Sequence, residues 1–400
     1  MATDAFDPKD PVALTRALIA CESVTPNEGG ALSLLQDILE RAGFECHRLT
    51  FQDSDTPDVD NLYARLGTTG KNLCFAGHTD VVPPGDLSAW SVPPFSAEVR
   101  EGYVFGRGAV DMKGAVACFV SAALAWLESG RVGGATQMPG SLSLLITGDE
   151  EGPAINGTVK VLSWLRERGE TLDACIVGEP SNPETLGDEI KIGRRGSLNG
   201  ELVVLGAQGH VAYPEKADNP IAKLAKIIDA LSIVRLDEGN AHFQPSNLEF
   251  TVISVPNTAL NVIPERAKAS FNIRYNDTWT RERLETYLNE KIERAAQRAG
   301  ARFEISFSGN GDAFLTKPGP LVETMVQTVR TVTGKTPKLT TGGGTSDARF
   351  IKDMCPVIEF GLVNKTIHKV DECVAVSDLH ALSDIYETFI ERYFETGNFS

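Results

Sequence analysis

One arrangement recurs four times in this sequence and limits what the chain can become. A short apolar run ends at glycine or a polar residue, and an acid or histidine follows at once. KNLCFAG leads into His78-Thr79-Asp80, SLSLLITG into Asp149-Glu150-Glu151, DACIVG into Glu179-Pro180, and CPVIEFG into a loop that reaches His368. Short runs of this kind are candidate buried strands, and in open α/β sheets polar chemistry collects just beyond the carboxyl ends of the strands. Four strands delivering ligand-type residues there predict a single crevice.

The rest of the chain is arranged around that pattern. From Asp10 to Ala42 the apolar spacing is helical, and residues 44–51 and 61–67 then alternate as strands on either side of the acidic loop DSDTPDVD. Between about Ser197 and Ser308 the texture changes. Alternating strands (LNGELVVLG, LEFTVISV, AKASFNIRY, RFEISF) are mixed with helical stretches from about Pro220 to Leu231 and Thr280 to Ala299. The expectation is an α/β catalytic domain of residues 1–196 and 309–400, interrupted by an α+β domain of residues 197–308. Four hundred residues are more than one core normally uses, which agrees with two domains. A lid over the crevice is the natural use of the insertion.

Composition removes several function classes. Thirty-eight basic against 54 acidic residues leave a formal charge of -16, which repels nucleic acid and anionic lipid. The longest apolar stretch, about Gly114 to Leu127, is too short to cross a bilayer, and the start MATDAFDPKD lacks the layout of an export signal. A cytoplasmic protein without a nucleic-acid or membrane partner is expected. Seven cysteines, none in a CxxC spacing, read as reduced core thiols.

The chemistry rests on few residues. His78 precedes Asp80 by two, so on an extended chain both project to one face and the carboxylate can orient the imidazole. Asp111, in GRGAVDMKGA, reads alone as the N-cap of a helix beginning near Met112. Three successive acids at 149–151 cost electrostatic energy unless they are solvated or neutralised by cations, and the preceding core strand favours a cleft over an outer face. Of the adjacent Glu150 and Glu151, one can bind metal while the other handles a proton. Glu179 adds an oxygen ligand and His368 a second nitrogen. Two histidines with three carboxylates suit zinc or a similar divalent ion, and they suffice for two ions sharing a bridging carboxylate. Ions so placed would polarise a carbonyl and acidify a water, which predicts metal-assisted hydrolysis.

In this order and spacing the motifs resemble the di-zinc amidohydrolases, a family that includes acetylornithine deacetylase, aminoacylase and related carboxypeptidases, from about Asp10 to Phe394. The resemblance implies a zinc-peptidase-like catalytic domain with a mixed central sheet and an inserted lid and dimerisation domain. It implies two zinc ions per subunit, with cobalt able to replace them. His78, Asp111 and Glu179 would hold one ion and Asp111, Glu151 and His368 the other, with Asp111 as the bridge. Glu150 would be the general base, and Asp80 the acid that steers His78. It further implies a homodimer, with His210 of GAQGHVAYP reaching the other subunit's active site.

Within the family, IKIGRRGS, QGHVAYP, NVIP, FNIRY and TGGGTSDARF are most similar to the branch that cleaves N-succinyl-L,L-diaminopimelate in lysine and cell-wall biosynthesis. Implied contacts to that small anionic N-acyl amino acid are Arg194, Ser197, His210, Tyr213, Asn261, Arg274, Gly344 and Thr345. Leu260 departs from the pattern, standing where a polar residue is expected before NVIP, and Glu151-Gly152-Pro153 departs after the acid pair. The residues read by themselves agree. Arg194 and Arg274 could each grip a carboxylate bidentately, and Gly342-Gly343-Gly344-Thr345-Ser346 could turn backbone N–H groups toward an anion. A phosphoryl-transfer or nucleotide-binding protein is the rival from another class, with GGGTS as phosphate cradle. The missing GxxxxGK[ST] loop and the histidine ligands speak against it. A binding protein that kept the fold but lost catalysis should lack Glu150 or a ligand, and none is missing.

Overall fold

The runs 72–78, 141–147 and 174–177 are buried from end to end, as strands with both faces covered must be. The structure is a computed structural model that describes residues 6–129, 138–309 and 311–396. These strands belong to an eight-stranded mixed sheet. In spatial order its strands are Glu45–Asp53, Thr56–Leu66, Ser141–Thr147, Asn72–His78, Ala174–Val177, Val357–Glu359, Glu189–Lys191 and Lys338–Thr340. The four in the middle, from Ser141–Thr147 through Val357–Glu359, are neighbours and all parallel. Their carboxyl ends therefore open on one edge, and these are the four runs that precede the acids and histidines.

Helices cover this sheet. Lys113–Glu128 packs against Val376–Thr396 and Pro11–Ile19. Phe75 of the sheet stacks on Phe119 at 4.3 Å and meets Tyr386 edge-on at 5.7 Å, contacts that contribute about 0.5–1.5 kcal/mol each beyond their buried area. The apolar stretch from Gly114 is thus a core helix, and Met112, without a side-chain cap bond, takes the N-cap position that Asp111 alone suggested. Among the described residues no helix is long and apolar enough to cross a membrane. All seven cysteines are free.

Two local expectations change. The helical stretch from Asp10 to Ala42 is two helices, Pro11–Ile19 and Ala31–Arg41, because Gly29 and Gly30 take positive φ between them. The acidic loop is shorter than its composition suggests: Thr56–Leu66 pairs antiparallel with Glu45–Asp53 as a hairpin, so most of DSDTPDVD is strand. Charge kept those residues on an exposed face without preventing pairing.

Contacts divide the chain into two units. The first comprises residues 1–192, 316–340 and 346–400, and the second Gly193–Leu315 with Thr341–Thr345. In the second unit an antiparallel sheet runs Asn247–Ser254, Arg266–Tyr275, Gly196–Leu205, Arg302–Ser308. Its alternation is regular: Leu198, Leu202 and Val204 join Ala267, Ala269, Phe271 and Ile273 in a core closed by Pro220–Ser232 and Arg281–Ala299. Gly200 lies under the Phe271 ring, where a Cβ would sit 2.1 Å from the ring edge.

Candidate metal centre

Parallel pairing sets the first ligands side by side. His78 closes its strand opposite Thr147, and Ala76 opposite Val177, so Asp149-Glu150-Glu151 and Glu179 emerge next to it. Gly178, just before Glu179, admits the Met112 side chain, whose Cε lies 2.6 Å from where a Cβ would be. That close approach seats the Asp111 segment under the strand ends.

Asp111 stands between two histidines. Its Oδ1 is 3.2 Å from His78 Nε2 and its Oδ2 3.1 Å from His368 Nε2. His368 Nε2 also lies 2.9 Å from Glu151 Oε1, and His78 Nε2 lies 3.9 Å from Glu179 Oε1. Two groups result, His78-Asp111-Glu179 and Asp111-Glu151-His368, each with donor atoms within 4.8 Å of one another. Tetrahedral zinc with bonds of about 2.0–2.1 Å separates its ligands by about 3.3 Å, so these spacings suit a shared ion. Among the described residues none hydrogen-bonds the buried Glu179 Oε1, an atom that a cation would satisfy. Nitrogen and carboxylate donors without thiolate fit zinc or a comparable divalent ion.

Asp80 does more than orient one ring. His78 Nδ1 lies 2.8 Å from the Asp80 backbone carbonyl, while the nearer carboxylate oxygen is 3.6 Å away. The Asp80 carboxylate instead accepts the N–H groups of Glu150 at 3.3 Å and Glu151 at 3.1 Å. The strand ends at Thr147, so Glu150 and Glu151 diverge through this loop geometry rather than strand alternation. Asp149, buried, accepts from Ile155 and Asn156 and folds the far side of the loop.

Without cations, protons answer the crowding of acids. Burial, then the charges of Asp347, Asp111 and Glu151, push Glu150 up to about 8, although His78 pulls it down. Burial likewise drives Glu179 well above its ordinary value, with Asp111 and Glu150 adding to it. Burial would lower His78, but the hydrogen bond and charge of Asp111, with Asp80 and Glu150, hold it well above the usual range. His368 rises to about 10, chiefly through its hydrogen bonds to Asp111 and Glu151. Burial alone would raise Asp111, yet the same two histidines hold it well below the carboxylate range. The cluster is short of positive charge, a deficit that divalent ions would meet.

The other expected site residues belong to the second unit, in three groups. Arg194 donates through Nη1 to the carbonyls of Gly342 at 3.2 Å and Gly344 at 3.1 Å, so this guanidinium shapes the glycine loop that carries Thr345. Ser197 and Arg274 are cross-strand partners on the polar face of the sheet. His210, Tyr213 and Asn261 share one exposed corner: Val211 N–H donates to the Asn261 carbonyl at 3.0 Å, and the His210 and Tyr213 rings lie 5.8 Å apart. Sequence reasoning passed over Asp347, Arg107 and Glu372, and named Asp149 in the acid run without giving it a role of its own. Of these, Glu372 had a legible signal, an acid four residues after His368 and directly before the apolar strand Cys373–Ala375.

Comparison with known proteins agrees with this geometry. Residues 74–392 match the model of peptidase family M20/M25/M40. A succinyl-diaminopimelate desuccinylase of Bradyrhizobium sp. strain BTAi1 is 55% identical over 388 residues, covering 96% of this chain and 99% of its own. Another of that name from Rhodospirillum centenum is 56% identical, over 96% of this chain and 97% of its own. Among solved structures, an M20 family metallo-carboxypeptidase from Sulfolobus solfataricus superposes with a TM-score of 0.77 at 19% identity, covering 98% of this chain and 100% of that one. A dinuclear metal binding M20 peptidase from Bacillus subtilis gives 0.72 at 16% identity, covering 97% and 99%. The fold is shared with both.

Proposed function

The chain belongs to peptidase family M20/M25/M40, and on that premise we propose that it hydrolyses N-succinyl-L,L-diaminopimelate to succinate and L,L-diaminopimelate, a step of lysine and cell-wall synthesis. The observation that carries this reading is Asp111 held between two ligand groups, one on each carboxylate oxygen. Full-length relatives named for that desuccinylation support the choice of substrate.

Two zinc ions, or cobalt in their place, would polarise the scissile carbonyl and acidify a water. His78, Asp111 and Glu179 would hold one, and Asp111, Glu151 and His368 the other. Glu150 is the general base. It takes one proton from the attacking water and delivers it to the departing amine as the C–N bond breaks, so atoms and charge balance. Asp80 fixes the loop that carries Glu150 and Glu151 by accepting an N–H from each.

Arg194, Ser197, Tyr213, Asn261, Arg274, Gly344 and Thr345 bind the substrate, the two arginines through its carboxylates. His210 acts across a homodimer, in the active site of the other subunit. Asn247–Ser254, an edge strand with Val252 and Ile253 exposed, supports association through the second unit. Seven free thiols support a cytoplasmic location.

Turnover of N-succinyl-L,L-diaminopimelate compared with N-acetylornithine tests the substrate. Faster cleavage of the acetyl compound would refute it.

A further inference from the structure

Glu372 is fully buried, yet it belongs to neither ligand group. Four donors from one short stretch converge on it. Oε1 accepts the N–H of Val110 at 2.8 Å and of Asp111 at 3.2 Å, and Oε2 accepts Gly108 N–H at 3.1 Å and Arg107 Nη1 at 2.8 Å. This stretch runs directly into Asp111, the proposed bridge. Glu372 itself follows His368 by four residues, so one carboxylate joins the loops that carry two ligands of the same group.

Further bonds run in the same direction. Gly106 N–H donates to the Glu372 carbonyl at 2.8 Å, and Arg107 Nη1 reaches the Lys369 carbonyl at 3.1 Å. Immediately beyond, Cys373–Ala375 pairs antiparallel with Tyr103–Phe105. Between these anchors His368 and Asp371 adopt positive φ, 58° and 56°, left-handed backbone that is uncommon in residues with a Cβ, though histidine and aspartate accept it more readily than most.

Resting on the metal-centre reading above, we propose that Glu372 is a positioning residue for that centre: its carboxylate locks the Asp111 backbone to the His368 loop and so sets the affinity of the position formed by Asp111, Glu151 and His368. The His78-Asp111-Glu179 position depends on it less, because His78 and Glu179 are fixed by the strands of the sheet. Polar partners that orient ligands in this way typically govern about ten- to a hundredfold in metal affinity.

The test is a zinc isotherm on chelator-stripped protein, read by competition with a chromogenic chelator. The unaltered chain takes up two equivalents. Glu372→Gln keeps the shape but replaces an acceptor oxygen with an amide, and it should weaken one equivalent by about ten- to a hundredfold and the other clearly less. Excess zinc should then restore turnover. Arg107→Lys, which keeps a cation but gives up the guanidinium fork, should weaken the same equivalent and serves if Glu372→Gln fails to fold. Isotherms of the folded variants within about threefold of the unaltered chain, with only the melting temperature of the stripped protein lowered, would overturn the positioning role and leave Glu372 a fold-stabilising residue. Fewer than two equivalents on the unaltered chain would overturn the metal-centre reading, and this role with it.

Discussion

Replacing Glu150 with glutamine removes a base while leaving every proposed ligand in place. The amide has the volume of the carboxyl, and the backbone N–H groups of residues 150 and 151 remain on Asp80. General-base catalysis contributes about a hundred- to ten-thousandfold, equivalent to about 2.7–5.4 kcal/mol of barrier. The surroundings place this site in the upper half of that range, because the acids nearest to it in the chain are engaged elsewhere. Asp80 spends its carboxylate on two N–H groups, Glu151 lies 2.9 Å from His368 in a ligand group, and one carboxylate oxygen of Asp149 is taken by Ile155 and Asn156. Glu150→Gln should therefore lower kcat by about a thousandfold or more with little change in KM. Steady-state kinetics and metal analysis on one preparation check it. Turnover within about tenfold of the unaltered chain, at full metal content, would refute the assignment of Glu150.

Three further outcomes follow from the geometry. His368→Ala leaves Asp111 and Glu151 as the only side chains of their group, so bound zinc should fall from two equivalents to one by equilibrium dialysis; retention of both would contradict the ligand assignment. In chelator-treated protein, Glu150 stays protonated up to about pH 8 when folded but ionises near 4.5 when unfolded, so its contribution is lost as pH rises across that interval. His368, held up to about 10, gives a contribution complete below 6.5 that is also lost as pH rises. The melting temperature of the stripped protein should thus fall between pH 6.5 and 8, and zinc should flatten the slope; a rise over that interval would contradict the direction of both shifts. Arg194→Lys breaks the fork onto Gly342 and Gly344 and weakens the proposed carboxylate grip, so KM should rise by about ten- to a hundredfold, with a smaller loss in kcat. A large loss in kcat at constant KM would argue against a binding role.

The strand-then-ligand habit was legible because parallel pairing makes sequence position a guide to space. His78, Glu150, Glu151 and Glu179 each lie within four residues of a buried strand's end, and the neighbouring strands bring those ends to one edge. The alternation of the second sheet was legible for the same local reason, since one face of each strand is apolar. What escaped depends on distant backbone. Glu372 stands visibly before an apolar strand, but that it takes its bonds from residues 107–111, with N–H partners more than 260 positions away, left no trace in the sequence. Asp80 was expected to act through its carboxylate on His78; that carboxylate lies 3.6 Å from Nδ1, but the Asp80 carbonyl at 2.8 Å is nearer, and the carboxylate also serves Glu150 and Glu151. Only the fold of the loop decides between them. Gly29 and Gly30 were the overlooked punctuation between the first two helices, and charge in DSDTPDVD masked a strand that polar residues can form when one face is wet.

The account turns on whether His78, Asp111, Glu151, Glu179 and His368 jointly hold two divalent ions on which turnover depends. Metal content and N-succinyl-L,L-diaminopimelate hydrolysis, measured on the same protein before and after exhaustive chelation and again after adding zinc, test that most directly. The prediction is two ions per chain, activity lost with them, and recovery on their return. Undiminished hydrolysis by protein stripped of every divalent ion would contradict it.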